Sequence, residues 1–95
     1  MRLNQHYINS IKKYFIQIFK NGEIYLFGSR IDDSKKGGDI DLYLVVENPI
    51  NLFEKKIKFL ARLKRELGEQ KIDIVFNIDK NRPIEQEAIK WGIKL

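Results

Sequence analysis

Residues 27–45 read "FGSRIDDSKKGGDIDLYLV", and the placement of the acidic residues in this stretch decides the fold. The run from Ile40 to Val46 is rich in apolar and β-branched residues, which predicts a strand over 39–46. Successive side chains of a strand point to opposite faces. Ile40, Leu42, Leu44 and Val46 therefore share one face, and Asp39, Asp41, Tyr43 and Val45 share the other. The apolar set takes the core, and the two aspartates stand together on the open face. Like charges on one strand face repel, so their presence there calls for a function.

The flanking segments supply the rest of the corner. Upstream, "EIYLF" (23–27) predicts a short strand cut off by Gly28, followed by a loop over 28–38. Downstream, a helix over 51–67 leads into "KIDIVFN" (71–77), a third strand in which Ile72, Ile74 and Phe76 form the core set and Asp73 points away with Lys71 and Val75. A strand–helix–strand connection implies a parallel pair. The starts of parallel neighbours lie side by side, so Asp39, Asp41 and Asp73 are expected to converge. An antiparallel first strand would bring Gly28 and Ser29 to the same corner. Converging carboxylates offer hard oxygen ligands to Mg²⁺, and two Asp at i and i+2 can supply the bridging ligand of a two-metal site. Gly28 allows close approach of backbone to a phosphate, Ser29 adds a hydroxyl and Arg30 a cation. The N–H groups of such a loop form an anion-binding concavity.

Outside this region, Leu3, Tyr7, Ile8, Ile11, Tyr14, Phe15 and Ile18 recur at helical spacing and predict a helix over 4–20, stopped by Asn21-Gly22 with Gly22 as the left-handed cap. The 51–67 helix carries the stripe Phe53, Ile57, Leu60, Leu63 and Leu67 and closes at Gly68. Pro83 is suited to a first helical turn, and the last helix, 84–91, ends at Gly92 with "IKL" trailing off. The expected fold is α/β (α+β), in the order α-β-loop-β-α-β-α: a small mixed three-stranded sheet packed by helices on one face, in one domain over 1–95. Trp91 is expected to close the core. Arg30 could pair with Asp32 or Asp33 or contact phosphate. His6 and the loop residues Lys35 and Lys36 read as solvated.

Composition narrows the chemistry. The chain has 95 residues, no cysteine and one histidine. Disulfides, cysteine nucleophiles and cysteine- or histidine-rich metal sites are excluded. The longest apolar run, "LYLVV", is too short to span a bilayer, and "MRLNQHYINSIKK" lacks the apolar core of a signal peptide. A cytoplasmic location with no membrane partner is expected. The net charge of +5 favours anionic partners. The basic run "KKIKFLARLKREL" reads as a solvated helix face, so direct nucleic-acid binding is not expected.

At "FGSR…GGDIDL" and "KIDIVF" the sequence resembles the minimal nucleotidyltransferases of the DNA polymerase β superfamily. Their signature is a strand ending in Gly-Ser, a loop, Asp-x-Asp, and a third Asp on a later strand. The resemblance covers nearly the whole chain, and it is similar to the antitoxin halves of HEPN/MNT toxin–antitoxin pairs. It implies transfer of AMP from ATP to a tyrosine of a HEPN ribonuclease toxin, in a hetero-oligomer with that partner. It also implies two Mg²⁺ ions on Asp39 and Asp41, with Asp73 binding one metal and helping to deprotonate the acceptor. Gly28 and Ser29, beside Arg30, would hold the triphosphate. Two alternatives stay open: an antitoxin that acts by binding alone with a vestigial site, and a nucleotidyltransferase with a small-molecule acceptor.

Overall fold

A computed structural model describes residues 3–31 and 38–95. Helix α1 (Gln5–Phe19) leads to strand β1 (Glu23–Phe27), a 3₁₀ turn (Gly28–Ile31) and strand β2 (Ile40–Val45). Helix α2 (Leu52–Leu67), strand β3 (Ile72–Phe76), helix α3 (Pro83–Trp91) and strand β4 (Ile93–Lys94) follow. The sheet order is β3-β2-β1-β4. The pair β1/β2 is antiparallel, with Phe27 opposite Asp41, and β2/β3 is parallel, with Asp41 opposite Asp73.

Local chemistry explains the element ends. Asn4 caps α1, its side-chain oxygen accepting from Tyr7 N at 2.9 Å. The residue that caps the other end is Lys20 (φ 71°), not Gly22 as expected, although Gly22 also has a positive φ of 134°. Gly22 serves the approach of the chain to β2, because a Cβ there would collide with the Val45 carbonyl. Gly68 closes α2, donating its N–H to Lys64 O at 2.8 Å, and Pro83 occupies the first turn of α3 as expected.

The sheet has four strands rather than three. The trailing "IKL" pairs with the outer edge of β1, placing Lys94 opposite Tyr25 and Ile93 opposite Leu26. Leu95 N donates to Ile24 O at 2.9 Å, and Lys94 Nζ meets Glu23 at 2.8 Å. A two-residue strand has no periodicity to read; it forms because α3 returns the chain beside an edge with unpaired backbone groups.

Both faces of the sheet are covered, not one. Helices α1 and α2 pack on the face of Ile24, Leu26, Ile40, Leu42, Leu44, Ile74 and Phe76. Helix α3 covers the other, where Ala88 packs with Phe27 and Tyr43 against Tyr25, Val45 and Val75. The face that carries the aspartates is thus partly covered by α3.

Two apolar assignments shift. On α2 the buried residues are Phe59 and Leu63, while Phe53 is 72% and Ile57 53% exposed. The helix offers two overlapping apolar stripes, and an aromatic cluster selects between them: Phe59 meets Phe15 at 6.4 Å and Phe19 at 5.8 Å between ring centroids. Trp91, expected in the core, is 59% exposed with Lys90 Nζ 5.1 Å from its ring. The narrow layer beneath α3 is already filled by Ala88 and Glu85. Among the described residues, no helix is long and apolar enough to cross a membrane. His6 lies exposed on α1, as expected.

Candidate active site

The end of β1 and the starts of β2 and β3 meet at one corner, where Phe27, Asp41 and Asp73 lie in register across three strands. Ile40 N donates to Lys71 O at 3.0 Å and fixes the two parallel strand starts against each other. Asp41 stands opposite Asp73, and the Asp41 carboxyl is pushed above its ordinary range. Burial contributes most, then the charges of Asp73 and Asp39. Asp39 lies beside this pair, with its carboxylate 3.6 Å from Lys71 Nζ.

Gly28 begins the 3₁₀ turn at φ +77°, a conformation L side chains rarely adopt. A Cβ at this position would collide with Asp41 Oδ2. The glycine thus admits the Asp41 carboxylate against the backbone of the turn, a close approach within the chain itself. Ser29 follows in the same turn. Arg30 Nη2 donates to Gly38 O at 3.1 Å and to Gln70 Oε1 at 3.3 Å. Gln70 Nε2 donates in turn to Gly38 O and, at 3.2 Å, to Lys71 O. Arg30 and Gln70 therefore clamp the turn after β1 to the entries of β2 and β3. Asp32 and Asp33, the alternative partners for Arg30, and the loop lysines Lys35 and Lys36 lie outside the described residues.

Two features of the corner were not read from the sequence. Glu87, on α3, adds a further negative charge near Asp41. Deeper on the same face, Glu85 is fully buried. Its Oε1 accepts from the Tyr43 hydroxyl at 2.7 Å. Its Oε2 accepts from Asp79 N at 2.7 Å and Arg82 Nε at 2.8 Å. Arg82 Nη2 also donates to Phe76 O at 2.9 Å. This network pins α3 across β2 and β3 two residues from Asp41. Tyr43 supplied a hint, being a polar tip on a strand face next to the aspartates. Its partner is 42 residues away, and no local pattern identifies it.

Among the described residues, no group of three or more His, Cys, Asp and Glu side chains is gathered as a metal-binding set. Asp41 and Asp73 form a pair, and Asp39 rests on Lys71. The donor chemistry of the pair nonetheless fits a hard divalent cation: two carboxylates held in register, one of them raised by burial and by like charge, are what a cation stabilises.

A family model described as "Polymerase beta, Nucleotidyltransferase" matches residues 9–95. The chain belongs to the polymerase β nucleotidyltransferase family. The match spans every strand of the sheet and therefore the whole carboxylate corner. No curated protein matches the chain. Membership in this nucleotidyltransferase family supports a nucleotidyltransferase-type function and, with it, transferase activity in general.

Proposed function

We propose that this chain is a Mg²⁺-dependent protein adenylyltransferase, the antitoxin of a cytoplasmic HEPN/MNT pair, which transfers AMP from ATP to a tyrosine of the HEPN ribonuclease toxin. The observation that carries the reading is the register of Asp41 with Asp73 beside a glycine that has no room for a side chain. In the reaction, the tyrosine oxygen bonds to the α-phosphorus of ATP, the bond to the bridging oxygen breaks, and pyrophosphate leaves. Asp73, exposed on β3, takes the acceptor proton. Backbone N–H groups of Gly28 and Ser29 hold the triphosphate; the Ser29 side chain lies outside what the structure describes. Arg30, tied to Gly38 and Gln70, keeps a cation beside that cradle. Asp39, Asp41 and Asp73 would hold two Mg²⁺ ions, which supply neutralisation of the charge developing on the transferring phosphate.

The test is mass spectrometry of the toxin co-expressed with this chain. Wild type should add one or more AMP groups to it. Asp39→Asn, Asp41→Asn and Asp73→Asn should each lower transfer at least about a hundredfold, roughly 3 kcal/mol of transition-state stabilisation. Near-normal transfer by Asp41→Asn would overturn the mechanism. An unmodified toxin beside a modified small molecule would move the acceptor to another class.

A further inference from the structure

Lys55, Lys58, Arg62 and Arg65 fall at i, i+3, i+7 and i+10 of α2, one stripe of the helix that rises about 15 Å. The stripe looks across to α1. Two grooves lie between the helices and share Lys58 and Arg62. One, of about 380 Å³, runs past Lys55 to Lys20 and Gln17. The other, of about 330 Å³, runs past Arg65 to Tyr14. Both lie over the sheet face that α1 and α2 cover, opposite the face of Asp41 and Asp73.

Charge in these grooves is one-sided. Five cations line them, Lys20 and the four of the stripe, against one carboxylate, Glu54. Among the described residues none of the five has a carboxylate within ion-pair distance; ion pairs are formed instead by Lys64, Lys71, Arg82 and Lys94. Like charges three and four residues apart on a helix repel, so the stripe opposes the helix that carries it until an anion is present. The α1 wall differs in kind. Gln17 joins the walls, its side-chain oxygen accepting from Arg62 Nη1 and its carbonyl from Lys20 Nζ, each at 2.9 Å. Tyr14 is half-buried at the second groove, with Lys13 Nζ 5.1 Å from its ring.

We infer that the α1/α2 groove binds a single strand of nucleic acid, its backbone phosphates along Lys55, Lys58, Arg62 and Arg65 and a base against Tyr14. A row of cations that tracks the backbone, beside an aromatic ring that stacks on a base, is how proteins hold single strands without reading sequence. An acidic protein surface is the poorer match. Protein interface cores are depleted of lysine and are built on desolvated anchors, and the exposed apolar residues of α2, Phe53 and Ile57, line neither groove. A duplex presents phosphate rows on both sides of a groove, whereas α2 offers one row of cations. The sequence alone shows a solvated face, because Gln17, which makes the run one wall of a groove, lies 45 residues from Arg62. Binding here is independent of the chemistry proposed for the opposite face, and Asp41→Asn should leave it unchanged.

The experiment is fluorescence anisotropy of the full chain with a labelled single-stranded RNA of mixed sequence, about 12 nucleotides long. The logarithm of affinity should fall with that of salt at a slope of about −3, from roughly −0.7 for each of four neutralised phosphates. The double variant Lys58→Gln, Arg65→Gln changes two exposed residues and should melt as wild type. It should bind about tenfold more weakly or worse, with a slope shallower by about 1.4. Lys64→Gln, Lys80→Gln removes the same charge outside both grooves and should bind as wild type. Tyr14→Leu keeps an apolar side chain against the core and should lose about fivefold in affinity through stacking. No binding at about 50 mM salt overturns the inference, as does equal weakening by the Lys64, Lys80 pair, which would leave net charge alone. Wild-type affinity in Tyr14→Leu overturns it too. So does binding of poly-glutamate or of duplex RNA as tightly as the single strand, which would give the groove to an acidic polypeptide or to a duplex.

Discussion

The Tyr43 hydroxyl donates a 2.7 Å hydrogen bond to Glu85 Oε1, joining the middle of β2 to the fully buried carboxylate of α3. Burial alone would raise Glu85, but its bonds from Asp79 N, Tyr43 and Arg82 outweigh this and hold it below 4.5. Its stabilising contribution is present above about pH 4.5 and is lost as pH falls through the lowered folded value. Tyr43 is pushed up to about 12, chiefly by burial and then by Glu85. Its contribution is present below its ordinary value of 10 and is lost as pH rises towards about 12. Glu85→Gln should cost about 3 kcal/mol at neutral pH, and Tyr43→Phe about 1 kcal/mol. Urea unfolding between acid and alkali checks both. Unchanged stability of Glu85→Gln would show that α3 is held by apolar contacts alone.

Gly28→Ala combines a left-handed backbone with a collision against Asp41. The conformational term is about 1–2 kcal/mol, and the clash adds to it. The variant should unfold at lower denaturant and lose nucleotidyl transfer. Adding Asp41→Gly should restore part of the stability but none of the activity, a coupling that a double-mutant cycle reads directly.

Asp41 is destabilised in its charged form by burial and by Asp73 and Asp39. Asp41→Asn should therefore melt a few degrees above wild type in EDTA at neutral pH. Mg²⁺ with ATP at a hundredfold excess over Kd should stabilise wild type by about 2.7 kcal/mol and the variant much less. A lower melting point for Asp41→Asn, with no metal-dependent shift in wild type, would make the carboxylates structural.

Gln70 bridges Arg30, Gly38 and Lys71 without belonging to the carboxylate set. Gln70→Ala should loosen the clamp on the turn proposed to hold the triphosphate. About 1 kcal/mol of lost positioning corresponds to a roughly fivefold rise in KM for ATP, with a smaller change in kcat. Steady-state kinetics separate the two, and an unchanged KM would remove the clamp from nucleotide binding.

The carboxylate corner was legible because strand alternation and the parallel crossover rule act on short stretches. The sequence brought Asp39, Asp41 and Asp73 to one corner, and Gly28 and Ser29 with them if the first strand was antiparallel; the structure shows that antiparallel pairing and sets Asp41 opposite Asp73. Other readings depended on choices between equivalent local patterns. The α2 sequence supports a stripe through Phe53 and Ile57 as well as one through Phe59. Only the rings of Phe15 and Phe19 decide which is buried. Tyr43 and Val45 read as an open face until α3 covers them.

By itself the sequence determined the element order, the split of β2 and β3 into an apolar and an acidic face, and the convergence of Gly28, Asp41 and Asp73. These follow from the twofold repeat of a strand and the handedness of its connections, which are properties of the backbone. Tertiary structure decided that Asp39 rests on Lys71, that Glu85 is buried against Tyr43 and Arg82, that "IKL" adds a fourth strand, and that Phe53 and Ile57 of α2 stay exposed. Burial and charge pairing depend on which distant segments come into contact, and that is set when the helices pack against the sheet.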